Sequence, residues 1–413
     1  MKSLENQVNL LNFLEIRNYC FSTSYNTSNQ SGLKFNYLDH SIINTNKYKY
    51  YNINEDGDNS NKLGINNNFS LNRLISYNEN NTDRNPYNCL KIDNINKRLI
   101  AATSTGNIIL YDLTGNSLSF LKKYNFHQSS IRSLSIISNI FNYKSENEYS
   151  YGLILSGDSN GNLLIWDNLN NIKLKSRLNN IHDQPITDIA FSNFSNINYN
   201  YTHNLKAKDS DKDNTIDNKE NVLSSSIFIA TVSEDKSCKV IDLEKEKAVS
   251  CFKEHNSDAK SVDWLKNASL IASSGKDKKI RFFDPRQKTS ISTMHDCHKD
   301  TINRIRFHNS NSNLLLSASK DHNIKLIDFR YLNVLQQFNG HSLGVNNISW
   351  SPINNNNFSS VSEDGNIIHW EIGSEDKYII NNAHDKEVFD ICYNNTGTYF
   401  VTGGKDASIK IWG

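Results

Sequence analysis

The sequence lacks the features that mark secreted, membrane-spanning or disulfide-stapled proteins. Its six cysteines are scattered without paired short spacings, which is the pattern of a reduced, intracellular chain. The first residues contain no long apolar segment, and no run approaches the roughly 18 apolar residues that a membrane helix needs. Neither secretion nor membrane insertion is therefore expected.

An excess of charge of either sign is also missing. The chain has 45 Lys and Arg against 44 Asp and Glu, which gives a formal net charge of +1. A strong, sequence-independent nucleic-acid binder would carry a large basic excess. The balance excludes that class but leaves room for local basic loops. Phosphate loops, nucleophile elbows and paired-carboxylate motifs are missing as well. We therefore expect no enzymatic activity and no cofactor.

The sequence does contain one short motif that recurs along the chain. An acidic turn residue precedes a short apolar run that a large apolar residue closes, and a histidine lies upstream. The last four of these histidines (His255, His298, His341 and His384) are spaced by about 43 residues, the blade length of a β-propeller. The period predicts an all-β, seven-bladed propeller. The closing residues of its seven units are Tyr111, Trp166, Ile241, Phe283, Ile327, Trp370 and Trp412.

The last unit ends after its third strand, so its blade is one strand short. The segment 69–77 alternates apolar and polar residues and can supply the outer strand, which would close the ring with the N-terminal part of the chain. We therefore place the propeller at residues 69–413. Residues 1–68 are predicted to be a low-complexity, mostly disordered tail. Polar insertions at 138–150 and 193–225 are predicted to be disordered too.

The recurring histidines and acids could be mistaken for catalytic parts. Near-copies at blade spacing are better explained as structural relays, in which a Trp or hydroxyl bonds a His and the His bonds an Asp. The residues assigned to these relays are His255, Asp277, His298, Asp321, His341, Asp364, Trp370, His384, Asp406 and Trp412.

One short stretch has metal-like spacing: His295, Cys297 and His298. His298 already belongs to the repeat, and no second ligand pair lies nearby in sequence. We expect no metal site here.

Two groups of residues are candidates for RNA or partner contacts. In the N-terminal tail, cations alternate with aromatic residues that could stack bases and touch phosphates. In the repeats, lysines flank the turn aspartates and would gather on one face of a propeller. The candidates are Lys47, Tyr48, Lys49, Tyr50 and Tyr51 in the tail, and Lys236, Lys276, Lys278, Lys320 and Lys405 in the turns. The alternative is that all of them are simply solvated.

The repeats resemble WD repeats, and Trp166-Asp167 preserves the Trp-Asp pair itself. Residues 255–412 resemble, more narrowly, the WD-repeat subunit of the cleavage and polyadenylation specificity factor. The matching stretches are 261–264, 283–286, 298–301, 314–321, 325–330, 335–341, 383–385, 389–390 and 402–406, with 157–173 upstream.

This resemblance implies a non-enzymatic nuclear subunit of the mRNA 3′-end processing machinery. In that family the propeller assembles with a multi-propeller scaffold and a CCCH zinc-finger protein. Together with the zinc fingers it reads the AAUAAA-type signal in pre-mRNA, and the complex tethers poly(A) polymerase. RNA contacts come from a basic, aromatic N-terminal segment and one propeller face, and the segment around Lys47 to Tyr51 has that character.

An adaptor of another kind is the alternative reading. The paired elements Asp284-Pro285-Arg286 and Asp328-Phe329-Arg330 resemble the docking motif of cullin ubiquitin-ligase substrate receptors. Both functions accommodate these elements, so they do not discriminate between the two.

Overall fold

Twenty-eight β-strands, arranged as seven four-stranded antiparallel sheets, make up the part of the chain that the structure describes. It is a computed structural model, and it describes residues 73–78, 85–113, 118–141, 150–168, 172–191, 227–265, 270–287 and 289–413. Within these residues there is no helix, and so none that is long and apolar enough to cross a membrane.

Each sheet is one blade, and its strands follow the chain from the centre of the ring outward. Blade 1 contains β2 (Tyr87–Asp93), β3 (Arg98–Thr103), β4 (Asn107–Asp112) and β5 (Ser119–Asn125). Blade 2 contains β6 (Ile131–Phe141), β7 (Ser150–Asp158), β8 (Leu163–Asp167) and β9 (Lys173–Leu178). Blade 3 contains β10 (Ile186–Phe191), β11 (Phe228–Ser233), β12 (Cys238–Asp242) and β13 (Lys247–Phe252).

The later blades repeat this order. Blade 4 contains β14 (Ala259–Trp264), β15 (Ile271–Gly275), β16 (Ile280–Phe283) and β17 (Ser290–Met294). Blade 5 contains β18 (Ile302–Phe307), β19 (Leu314–Ser319), β20 (Asn323–Asp328) and β21 (Asn333–Asn339). Blade 6 contains β22 (Val345–Trp350), β23 (Asn357–Ser362), β24 (Ile367–Glu371) and β25 (Lys377–Ile380). Blade 7 contains β26 (Val388–Tyr393), β27 (Phe400–Gly404), β28 (Ser408–Trp412) and β1 (Arg73–Asn78).

The core lies between blades, and this explains the character of each strand. Seven buried apolar clusters, one for each pair of neighbouring blades, are found among the described residues. The second strands are covered on both faces, so β11 is buried along its whole length. The outer strands face solvent on one side, so β21 alternates exposed and covered residues.

Every innermost strand carries a bulge near its start, where its register against the second strand shifts. The residue at the bulge often reaches the next blade. Asn303 donates its side-chain amide to the backbone oxygen of Val345 at 2.9 Å, and Asn346 donates to that of Val388 at 2.8 Å. The bulges therefore orient a side chain so that it forms a hydrogen bond with the neighbouring blade.

The ring closes as the sequence predicts. The inner strands contact one another in series, and β2 of blade 1 packs against β26 of blade 7. Strand β1 pairs with β28 as the outer strand of blade 7, with Arg73 opposite Trp412 and Asn78 opposite Ser408. The seven-bladed fold closed by an N-terminal strand is therefore confirmed. The paired segment begins at Arg73, whereas residues 69–72 lie outside the described residues.

The predicted insertions need one correction. Strand β6 continues through Phe141 and pairs with β7 up to Ser150, because β-pairing extends past the point where the repeat pattern breaks. The stretch predicted to be disordered at 138–150 is therefore strand at both of its ends. Residues 142–149, the insertion at 193–225 and the tail at 1–68 lie outside the described residues.

Candidate functional site

The histidine and aspartate of each late repeat meet at one end of the blades, as their spacing predicts. In blade 6, His341 places Nδ1 3.0 Å from Asp364 Oδ2 and Nε2 2.8 Å from the Ser360 hydroxyl. Trp370 donates its indole N–H to the same hydroxyl at 2.8 Å. The structure thus brings together two strand residues, Ser360 and Trp370, one loop residue, His341, and one turn residue, Asp364, in a single chain of hydrogen bonds.

Blade 7 has the same arrangement. His384 Nδ1 lies 2.9 Å from Asp406 Oδ2, and its Nε2 lies 2.8 Å from Thr402 Oγ1. Trp412 donates to Thr402 at 2.9 Å. The chain from indole to carboxylate is therefore complete in the blade that the N-terminal strand closes.

Blades 4 and 5 have shorter relays, because Phe283 and Ile327 stand where the tryptophan would be. His255 lies 3.0 Å from Asp277, and His298 lies 2.9 Å from Asp321. The hydroxyls of Ser273 and Ser317 complete these chains at 2.6 and 2.8 Å, and blade 3 has a fifth relay through His182, Asp235 and Thr231.

A sixth relay escaped the sequence reasoning. His127 lies 3.0 Å from Asp158 and 2.7 Å from the Ser156 hydroxyl, to which Trp166 donates at 2.8 Å. Asp158 stands two residues before the position that carries the turn aspartate in later blades, where Asn160 is found. The signal that could have found it is the ten-residue spacing from Ser156 to Trp166, which blade 6 repeats from Ser360 to Trp370. His127 itself lies 39 residues before Trp166, against 28 or 29 residues in blades 4 to 7, because of the insertion in blade 2.

The charge state of the relay follows from its burial. Burial alone would raise the pKa of Asp406, but the hydrogen bond and charge of His384, with help from Ser408, lower it to about 2. Burial lowers the pKa of His384 by more than Asp406 raises it. At neutral pH the carboxylate is therefore ionised and the imidazole neutral, with its proton on Nδ1 and its Nε2 accepting from Thr402.

This geometry suits a structural element. In blades 3 to 7 the carboxylate also accepts a backbone N–H group from the loop before its blade, as Asp364 does from Ser342 at 3.0 Å, and one from its own turn, as from Asn366 at 2.9 Å. Ser360 is fully buried, and within the described residues its hydroxyl forms hydrogen bonds only with its relay partners and the backbone of Ile368. A buried hydroxyl with its neighbours already paired is not available to attack a substrate.

The turn lysines lie on the relay face, because all turns between second and third strands lie at the same end of the blades. All five are exposed. Lys405 pairs with Glu387 at 2.8 Å, and Lys276 lies 3.9 Å from Asp258. Lys236 and Lys278 occupy left-handed turn positions with φ of 70° and 62°. The face therefore mixes both charges, and contact of these lysines with RNA or a partner remains a prediction.

Several other candidates are placed differently. The tail residues Lys47 to Tyr51 lie outside the described residues. In the metal-like stretch, His298 is engaged by its relay, Cys297 is buried with its thiol 3.9 Å from Ser317, and His295 is exposed. Among the described residues, no group of three or more His, Cys, Asp or Glu side chains is arranged to hold a metal ion.

The two Asp-x-Arg elements adopt the same conformation after the third strands of blades 4 and 5. Arg286 donates hydrogen bonds to Asp284 from Nε at 2.9 Å and from Nη2 at 2.6 Å. Arg330 donates to Asp328 from the same two atoms, at 3.0 and 2.6 Å. Each arginine is therefore held in one orientation by its own aspartate.

A basic, aromatic surface on the outer strands of blades 1 and 2 was not predicted. On β5, Phe120 and Leu121 are 50% and 45% exposed, and two exposed lysines follow them. Phe126 is 44% exposed, and its backbone oxygen accepts a hydrogen bond from Arg177 of β9 at 2.5 Å. We call this the β5–β9 surface: Phe120, Leu121, Lys122, Lys123, Phe126, Lys173, Lys175 and Arg177.

No acidic residue occurs in β5 or β9 themselves. The stretch from Phe120 to Asn125 places two lysines, Lys122 and Lys123, between the aromatic residues Phe120 and Tyr124. That signal is present in the sequence, but the contact candidates predicted from the sequence did not include these residues.

Comparison with known proteins supports the fold and points to two kinds of relative. The WD domain, G-beta repeat family matches residues 246–284, 288–328, 332–371 and 375–413. The chain is 32% identical to the GATOR2 complex protein WDR24 of Danio rerio over 117 residues, 28% of this chain and 15% of that protein. It is 31% identical to polyadenylation factor subunit 2 of Saccharomyces cerevisiae over 132 residues, 31% of this chain and 28% of that protein.

The corresponding polyadenylation factor subunit 2 of Schizosaccharomyces pombe is 27% identical over 153 residues, 31% of this chain and 30% of that protein. The matched regions thus span less than a third of each of these relatives. The match of the family to four repeats agrees with the seven four-stranded sheets of the closed ring. The chain is an all-β, seven-bladed β-propeller with WD40 repeats.

Proposed function

We propose that this chain is a non-enzymatic propeller subunit of the nuclear mRNA cleavage and polyadenylation machinery, which helps to recognise an AAUAAA-type signal in pre-mRNA. Its partners would be a multi-propeller scaffold, a CCCH zinc-finger protein and poly(A) polymerase. The similarity to polyadenylation factor subunit 2 of two yeasts supports this choice among propeller functions. The fold itself is one that typically serves as a scaffold.

The observation that carries the RNA part of the proposal is the β5–β9 surface. Half-exposed Phe120 offers a ring on which a base can stack. Lys122 and Lys123 beside it, and Arg177 on the neighbouring blade, offer cations for phosphates without a carboxylate on either strand. Aromatic rings next to cations are what single-stranded RNA requires of a protein.

The first experiment measures binding of the recombinant chain, with its zinc-finger partner, to fluorescent RNA containing AAUAAA or a scrambled sequence. Tighter binding of AAUAAA supports the proposal, and equal affinity removes signal recognition from it. Phe120→Ala should weaken binding by about ten-fold, because stacking on an aromatic side chain contributes about 1–3 kcal/mol per base.

Leu335→Ala is the matched control, since Leu335 is 53% exposed on the outer strand of blade 5. It should leave RNA affinity unchanged. Lys47→Gln with Lys49→Gln tests the tail separately, and unchanged affinity would exclude a contribution from that segment.

A protein-interaction adaptor of another complex, such as a cullin ubiquitin-ligase substrate receptor, is the second candidate. The similarity to WDR24 favours it. The fixed arginines Arg286 and Arg330 are compatible with either function. Affinity purification separates the two functions: zinc-finger and polymerase partners support the first, and a cullin adaptor supports the second.

A further inference from the structure

The central channel opens, on the face opposite the relays, into a cavity of about 240 Å³. Its walls come from the inner strands of blades 1, 5, 6 and 7 and from the loops that follow β22 and β26. Lys91 and Arg306 are the charged residues among its lining residues, and no carboxylate lines it.

Both cations have hydrogen-bond donors to spare. Lys91 Nζ lies 3.7 Å from Asp390, and its side chain is 30% exposed. Asp390 itself is almost fully buried and already accepts the backbone N–H groups of Leu90 and Ile391 and the side-chain amide of Asn347. The carboxylate is therefore turned into the wall, and the ammonium group faces the cavity.

Arg306 uses a single nitrogen for all its bonds within the described residues. Nη1 donates to Asp188, to the backbone oxygen of Val262 and to that of Ile305. The Nε and Nη2 groups make no hydrogen bond in the described part of the chain. A guanidinium with free donors beside a cavity is suited to a carboxylate or phosphate oxygen.

A second cavity of about 190 Å³ adjoins the first and shares Arg306, Ser349 and Trp350 with it. Its remaining walls include Trp264, Phe307 and His308. Asp263 also lines this cavity, but it accepts the backbone N–H groups of Trp264 and Phe307, and burial raises its pKa. This second compartment is therefore mainly aromatic.

We propose that the two cavities together form a docking site for an extended acidic segment of a partner protein. An Asp or Glu side chain of the partner fills the cavity of Lys91 and Arg306, and an apolar side chain two positions away fills the aromatic cavity. Side chains two apart on an extended strand lie on the same face, about 7 Å from each other. The amides of Asn309 and Asn395 at the rim can pair with the partner's backbone.

A protein segment fits both cavities better than a nucleic acid does. A phosphate could occupy the cationic cavity, but the neighbouring compartment offers no second Lys or Arg for the next phosphate of a nucleic acid. Its walls of Trp264, Phe307 and Trp350 suit an apolar side chain instead. The docking site lies on the opposite face from the turn lysines and does not depend on the β5–β9 surface. The docking-site proposal can therefore be tested independently of RNA recognition.

The test is fluorescence anisotropy of the full chain with a labelled nonapeptide in which Asp-Ser-Leu is repeated three times. The matched probe replaces each Asp with Asn. We expect the acidic peptide to bind at least about ten-fold more tightly, because hydrogen bonds to charged groups contribute about 1.5–3 kcal/mol. Equal affinity for the two peptides would overturn the proposal.

Lys91→Gln should weaken the acidic peptide about ten-fold, and Asp390 keeps its three N–H donors in this variant, so the fold is expected to survive. Lys405→Gln removes an equivalent charge, also paired with an acid, from the other face and should leave affinity unchanged. A Lys91→Gln variant with normal melting temperature and unaltered binding contradicts the assignment. So does displacement of the peptide by a ten-nucleotide oligouridine, which would make the site one for RNA.

Discussion

At the scale of single residues, the relays depend on which group holds the proton. His182 and His384 are kept neutral because burial lowers the pKa of each imidazole. Asp235, Asp321 and Asp406 are kept ionised because hydrogen bonds lower their pKa despite burial. The lowered pKa values of the histidines and of the aspartates both make the fold less stable in acid, because the unfolded chain then binds more protons than the folded one.

The stability of the propeller should therefore fall as the pH is lowered. The histidine contribution is complete above the unfolded pKa near 6.5 and is lost as the pH falls toward the lower folded value. The Asp406 contribution is complete above about pH 4 and is lost as the pH approaches about 2. We expect the free energy of unfolding in urea to be flat from pH 8 to 7 and to decline below that.

His384→Gln isolates the histidine part. The variant should be less stable at pH 7 but should lose less between pH 7 and 5, by up to about 1.4 kcal/mol per pH unit. A slope identical to that of the parent chain would show that His384 does not titrate with folding. His295→Gln, at an exposed histidine, is the control.

Sequence spacing predicted most of these contacts but not all of them. His384 and Asp406 could be paired in advance because the repeat fixes both positions. His127 and Asp158 could not, because the acid lies two residues earlier, at the end of β7, and its carboxylate reaches the histidine from there. The left-handed conformation at Ala407, with φ of 59°, was also not predicted, since alanine rarely adopts it.

At the scale of secondary-structure elements, β1 decides whether blade 7 is complete. Its backbone covers β28, which would otherwise present a row of unpaired N–H and C=O groups. The alternation of residues 69–77 predicted a strand here, but only its pairing determines where it begins. Strand ends are set by the partner strand, and a single sequence does not contain that information.

Deleting residues 1–78 should therefore lower the melting temperature and promote self-association through the exposed edge of β28. Deleting residues 1–68 retains β1 and should leave both properties unchanged. Differential scanning calorimetry and light scattering on both truncations provide the measurement. If the longer deletion stayed monomeric with an unaltered melting temperature, β1 would contribute nothing to closure.

At the scale of the whole molecule, charged side chains of the inner strands join blades that are not neighbours in sequence. Asp188 of blade 3 accepts the Ser261 hydroxyl of blade 4 at 2.8 Å and lies 2.8 Å from Arg304 of blade 5. Burial alone would raise the pKa of Asp188, but Arg304 and Arg306 hold it below its ordinary value. One carboxylate thus binds three sheets around the channel.

Asp188→Asn should destabilise the propeller by about 3–5 kcal/mol, because it leaves two largely buried arginines without their carboxylate. Urea denaturation of this variant beside Glu375→Gln, which removes an exposed charge from a loop of blade 6, is the measurement. A loss below about 1 kcal/mol would mean that water or other groups satisfy the arginines.

The ring itself was predictable because a period near 43 residues specifies blades, and the seven closing residues give their number. The cavities at the channel mouth were not predictable. Lys91 and Arg306 lie in repeats four blades apart in sequence, and only the closed ring places them on one wall. A surface formed by several blades cannot be predicted from the sequence of any single repeat.

The pairing of Arg73 with Trp412 means that the two ends of the propeller already form an antiparallel couple. A tight two-residue turn could join them and convert blade 7 into an uninterrupted meander. The chain could then be opened between any other pair of blades, giving circular permutants in which every sheet is made from consecutive strands. Comparing the refolding rates of these permutants with that of the natural chain would measure how the remote position of β1 in the sequence affects the folding of blade 7.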